Sequence, residues 1–267
     1  MISRININGL NSYNTNTKAQ TQNFTGHGSP NNLNKKQKTV ILASSAAGMT
    51  PVLAVLAKRK GFSLNPAKIF RTPVKDWAIF KYAPEGKFIK FEEPQIISVA
   101  AGSIAGGFIG GAIVDDKSNL KAKKREILNQ ILGNILVPVG CVGFGARQYE
   151  KYANRIENAM PQLSKNTKTT RFLNKCLKNL PNATCTVAFL GIGIYLGNRV
   201  SNYINEKLYH RKVDRNIKAS DFAPHVDDLC MATSMMNKNS SFGDKLGRVI
   251  PLALIVPGYQ TGIAQEH

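Results

Sequence analysis

The sequence predicts an all-α fold, a multi-pass helical membrane protein with four or five membrane-embedded segments behind a disordered N-terminal tail. Three observations point there. Five apolar runs interrupt a polar, lysine-rich background. One run carries glycines at a spacing of four. The chain has a net charge of +20, with no Asp or Glu before Asp76.

The runs cover 39–57, 94–114, 127–146, 183–200 and 249–264. None contains Asp, Glu or Lys, and the only Arg is Arg199, near the end of the fourth. A spanning helix needs about 20 apolar residues to cross a hydrocarbon core of about 30 Å. The second and third runs meet that length, the first and fourth fall slightly short, and the last is clearly short. Pro251 and Pro257 each remove a backbone donor from the last run, which reads as a kinked or re-entrant segment buried against other helices. A single run of this kind fits the core of a soluble protein, but so many in one chain favour a bilayer.

In the second run, Gly102, Gly106 and Gly110 recur every four residues, with Gly107 and Gly111 in a parallel row. That spacing lays glycines along a helix stripe where another backbone approaches closely. In water each would cost about 1 kcal/mol relative to alanine. Ile104, Phe108, Ile109 and Ile113 are too apolar for a flexible loop. The spacing resembles the glycine-zipper pattern of many unrelated membrane proteins, which implies helix packing and no particular activity.

In the third run, Gln130, Asn134 and Cys141 share one face, with Pro138 between them. Intramembrane amides usually hydrogen-bond across helix contacts, so these are expected to pack; a pathway role is the alternative. No ionisable residue accompanies the stripe within the run, which favours packing. Helical periodicity continues past the third run through Tyr149, Tyr152, Ile156 and Met160, and past the fourth through Tyr203, Ile204 and Leu208. Both read as helices leaving the membrane through an aromatic, basic interfacial zone. Leu173, Cys176, Leu177 and Leu180 suggest a short amphipathic helix lying on the membrane surface. Residues 77–93 interleave aromatics and lysines around a Pro84-Glu85-Gly86 turn and read as an interfacial belt.

Residues 1–38 are rich in Asn, Thr, Gln and Ser and form the expected disordered tail, ahead of a helical membrane domain over 39–267. The acid-free tail resembles an organellar transit peptide in composition, although Arg4 is its only arginine. If all five runs cross, Lys and Arg divide 19 to 17 between the two sides, so a normal positive-inside bias is missing. The short loop bearing Lys117, Lys121, Lys123, Lys124 and Arg125 is the most informative, and it is expected in the cytoplasm with the tail.

The four cysteines have no C-x-x-C spacing, so neither a zinc site nor a disulfide framework is expected. Gly191-Ile192-Gly193 followed by Gly197 misses the dinucleotide-binding spacing by one residue. The best polar cluster is Asp221, His225 and Asp228, on one face if helical. A metal or acid–base pair could use it, but a helix start capped by Ser220 explains it as well. No P-loop, H-E-x-x-H or G-x-S-x-G occurs. No catalytic site, metal or cofactor is expected.

The expected protein is an integral membrane protein of structural or interaction type, its helices packed through glycine faces and its basic loops held on anionic lipid. Self-association through the glycine face is a further expectation. The alternatives are a small channel or transporter using Gln130 and Asn134, and a soluble basic nucleic-acid-binding protein. The apolar runs make nucleic acid the weaker partner.

Overall fold

The structure is a computed structural model that describes residues 32–59, 61–72, 93–164, 167–210, 217, 219–226 and 250–266. The tail before residue 32 and the interfacial belt of 77–92 lie outside the described residues. Within them the chain is helical. Helices α1 (Lys35–Arg59), α2 (Pro66–Arg71) and α3 (Glu93–Val114) come first. Next is one long composite rod made of α4 (Leu120–Leu128), a π-helical segment (Asn129–Leu136) and α5 (Val137–Ala159). Helix α6 (Lys168–Tyr209), a 3-10 segment (Ala219–His225), α7 (Ile250–Ala253) and α8 (Ile255–Ile263) complete the fold. Four helical rods are long and apolar enough to cross a membrane: α1, α3, the composite rod and α6.

Helix α1 starts on a reciprocal cap. The Gln37 N–H donates to Asn34 Oδ1 (2.9 Å) and the Asn34 N–H donates to Gln37 Oε1 (2.8 Å), satisfying donors that a helix start leaves orphaned. The Gln37 side chain also donates to the Val114 carbonyl (2.6 Å), tying the start of α1 to the end of α3. These two helices therefore run antiparallel, and glycine sets their spacing. A Cβ added at Gly102 would meet the Gly48 carbonyl oxygen at 2.7 Å, and one at Gly110 would meet the Ser44 Cβ at 2.6 Å. At Gly106 the Ser44 carbonyl is closer still. Gly107 and Gly111 face the other way, against the backbones of Gly258 and Gly262 on α8. The two glycine rows thus serve two different neighbours within the chain.

The composite rod and α6 form a second antiparallel pair, with Gly197 on Gly133, Gly193 on Pro138 and Cys141, and the Phe189 ring on Gly145. These helices remain together to their tip, where Lys178 Nζ lies 3.7 Å from Glu157 and Asn174 takes both backbone groups of Leu163. The 42 residues of α6 extend about 60 Å, well over the length of the 25-residue α1 and the 22-residue α3, so this hairpin projects well beyond them. The stretch around Leu173 to Leu180 is part of α6 and packs on α5. It is not the separate surface helix the pattern suggested, because a Thr167–Thr170 capping box starts the helix early and carries it through Pro181 unbroken.

Gly258 lies beside Ser103 and Gly107, and Gly262 beside Gly107 and Gly111, so α8 runs parallel to α3. Residues 264–266 accordingly return to the end of the bundle where α3 stops and α4 starts, which we name the clasp end. The last apolar run enters the bundle without crossing it. At 14 residues, Ile250–Ile263 spans only about 20 Å.

The close contacts predict a contrast between two glycines. Gly106→Leu must push a backbone away and should destabilise the protein by about 1–3 kcal/mol or prevent its accumulation. Gly140→Leu should be tolerated, since a Cβ at Gly140 meets nothing within 4 Å. Thermal unfolding of both variants in detergent checks this; equal behaviour would show that α1 is not seated on α3 as described.

Candidate functional site: a buried polar core

The interior is unusually polar. Glu126, Asn129, Gln130, Asn134, Ser201, Asn205, Asp221, His225 and Gln260 are all buried. Meanwhile Ile109, Ile113, Phe144, Val187, Ile192 and Tyr195 point outward and are exposed. Three of the polar residues, Asn129, Gln130 and Asn134, belong to the π-helical segment. Such segments are rare, cost hydrogen-bond geometry, and occur frequently at functional sites.

The hydrogen bonds fix the orientation of each amide. Gln130 Nε2 donates to Glu126 Oε1 (2.6 Å) and to Gln260 Oε1 (2.5 Å). Asn134 Nδ2 donates to Gln130 Oε1 (3.0 Å) and to Asp221 Oδ1 (3.0 Å). Each NH2 group thus uses both protons. A continuous path runs from the Glu126 carboxylate through two amides to the Asp221 carboxylate, drawing on α4, the π segment and the 3-10 segment. The His225 ring completes it, with Nε2 2.6 Å from the Asn134 carbonyl. A carbonyl only accepts, so that nitrogen carries the proton. On the other side, Asn129 donates to Glu126 (3.3 Å) and accepts from Ser201 and from Asn205 (2.6 Å), joining α6 to the same core.

A second cluster lies at the clasp end, one turn before Glu126 on α4. Lys123 is fully buried, and its Nζ donates to Asp115 (2.7 Å) and to the carbonyls of Gly262 (2.6 Å) and Ala264 (2.9 Å). The Gln265 side chain donates to Asp115 (3.1 Å) and accepts from the Asn32 N–H (3.2 Å). Glu266 pairs with Arg125, whose guanidinium also lies 5.6 Å from the centre of the Tyr209 ring. The Glu266 N–H donates to Asn119 (3.0 Å).

Gln130 and Asn134 therefore meet across helices, and the structure adds what the sequence pattern left out. Two carboxylates accompany the stripe: Glu126 stands one turn ahead of Gln130, just outside the apolar run, and Asp221 arrives from far along the chain. Asp221 and His225 sit together on the 3-10 segment, facing Asn134, while Asp228 lies outside the described residues. No group of three His, Cys, Asp or Glu that could hold a metal ion occurs among the described residues. Gly193 and Gly197 lie in a helix contact. Two Gly-x-x-x-Gly spacings, 193–197 and 258–262, signal these packing positions in the sequence.

No family model matches the chain, and no curated protein or solved structure matches it either.

Burial raises the pKa of Asp115, but hydrogen bonds from Lys123 and Asn119 outweigh it and hold the carboxyl below the ordinary carboxylate range. A depressed pKa contributes stability that is present above the unfolded value and lost as pH falls through the folded one. Asp115→Asn should therefore lower thermal stability by the same amount at about pH 7 and about pH 5. The gap to the wild type should close only under strongly acid conditions. A gap that already closes between those two values would contradict the ion pair.

Proposed function

We propose that the chain is an integral membrane protein with four spans, of small-channel or transporter type, and that its polar core holds or passes a small polar solute or ion. The buried path from Glu126 to Asp221 through Gln130 and Asn134 carries this reading. Burying carboxylates costs several kcal/mol per ion, and well-packed apolar residues often stabilise a core as well or better. Ionisable groups inside a membrane bundle mark pathways and relays by default. Two further features support it: the π-helical irregularity at the same residues, and a short broken helix that begins partway through the bundle, as broken helices do at transporter binding sites. An apolar exterior around a polar interior supports the membrane assignment itself.

The structural or interaction role is the second reading, favoured by the glycine contacts. Both glycine rows of α3 are filled by elements of the same chain, so self-association would use another surface. Exposed bases at both ends, including Lys117, Lys121 and Lys124 beside Arg147, Lys151 and Lys175, suit anionic lipid headgroups under either reading.

An alkaline wash should leave the protein in the membrane pellet. In vesicles loaded with proton-, sodium- or potassium-sensitive dye, the purified protein should give flux above empty vesicles for at least one of these ions. Asp221→Asn, which keeps shape and hydrogen-bonding capacity, should reduce that flux about tenfold or more at unchanged thermal stability. Release into the wash would end both membrane readings. Flux equal to that of empty vesicles would leave the structural role.

A further inference from the structure

Two polar clusters share one C-terminal segment. Gln260 of α8 reaches the core through its bond from Gln130 (2.5 Å), and Asn32, Asp115, Asn119, Lys123 and Arg125 fix the segment's end at the clasp. The segment is a weak helix by itself: it breaks at Leu254, and Pro257 lacks a backbone donor. On α3 it rests on backbone against Gly107 and Gly111, Ser103 donates to the Ile255 carbonyl (3.3 Å), and Ile250 and Leu254 join the apolar cluster of Val99, Ala100 and Ile104. What holds its end is electrostatic. The last carbonyls of a helix have no partner within it, and a cation there is favoured. Lys123 supplies that cation to the Gly262 and Ala264 carbonyls while its charge is balanced by Asp115. Without the segment, the buried ammonium loses two of those three acceptors. Without Lys123, two buried carbonyls lose their donor.

We propose that residues 250–266 form a latched strap that closes the polar core at the clasp end, with Lys123 as the latch. Its effect on flux rests on the channel or transporter reading, whereas the strap itself does not. Ile250 and Leu254 keep the start of the segment in the apolar core. Its end, from Gly262 to Glu266, is held by polar contacts, which exchange with water more readily than apolar packing, so opening begins there. Gln260 lies on the same segment, two residues before Gly262, so lifting the segment's end that far also breaks the bond from Gln130.

The test uses the full chain carrying Ala264→Cys, a buried position, and follows labelling by a small water-soluble maleimide in detergent, read peptide by peptide by mass spectrometry. Adding Lys123→Met should accelerate labelling at position 264 about tenfold or more. The native Cys141 and Cys185, which lie in the α5–α6 pair, should keep their rates and so report that the rest of the bundle stays folded. If Lys123→Met also exposes those cysteines, Glu266→Gln serves as the milder variant, expected to give a smaller acceleration confined to position 264. Unchanged labelling at 264 in the variant that stays folded overturns the strap. In vesicles, Lys123→Met should raise ion flux. Faster labelling at 264 with flux no greater than that of empty vesicles supports the strap and removes the transport reading.

Discussion

Helix α3 is approached on two sides by the backbones of its neighbours. Gly102, Gly106 and Gly110 admit α1, and Gly107 and Gly111 admit α8, at separations where an added Cβ would collide with a carbonyl or, at Gly110, with the Ser44 side chain. In lipid, helices gain little by hiding apolar surface from one another, so close van der Waals contact and interhelical hydrogen bonds do the work. The double row explains the rest of the layout. It fixes α1 and α8 on different faces of one rod, and it sends α8 parallel to α3. The chain end then falls at the clasp, within reach of Lys123 and Arg125.

Much of this was legible in the sequence, and what was missed has identifiable physical causes. Apolar length gave the four rods, each long and apolar enough for a spanning helix. Glycine spacing gave the α3 stripes because a period of four follows from helix geometry. The neighbours on those stripes were less visible: Gly48 stands alone in its run, and the pair Gly258 and Gly262 lay in a segment too short and too proline-rich to read as a rod. The polar core was half visible. Gln130 and Asn134 stood out inside an apolar run, but Glu126 lay one residue before its start. Asp221 comes 87 residues after Asn134, a contact that no local spacing encodes.

The topology puzzle has a structural source as well. A charge count that treats every lysine as free overstates the short loop, because Lys123 and Arg125 are buried and paired with Asp115 and Glu266. Only Lys117, Lys121 and Lys124 of that group remain exposed. The count also assumed a fifth crossing, whereas the last run returns to the clasp end. Orientation rules concern free bases near span ends. A buried lysine serving as a helix cap is a different object.

Why a bundle would bury both a lysine clasp and a carboxylate–amide path on one helix follows from distance and medium. Lys123 and Glu126 stand three positions apart on α4, and both are fully buried. In such a medium each bond is stronger than in water, and each unmade bond costs more. The two clusters are therefore not independent: both include the C-terminal segment, one through Gln260 and the other through the carbonyls of Gly262 and Ala264. Displacing that segment breaks bonds in both at once, whereas displacing α1 breaks none in the core path from Glu126 to Asp221. The C-terminal segment thus joins the apolar core, through Ile250 and Leu254, to both polar clusters. Polar bonds therefore hold its end, from Gly262 to Glu266, while its start shares the apolar core of the glycine-packed rods.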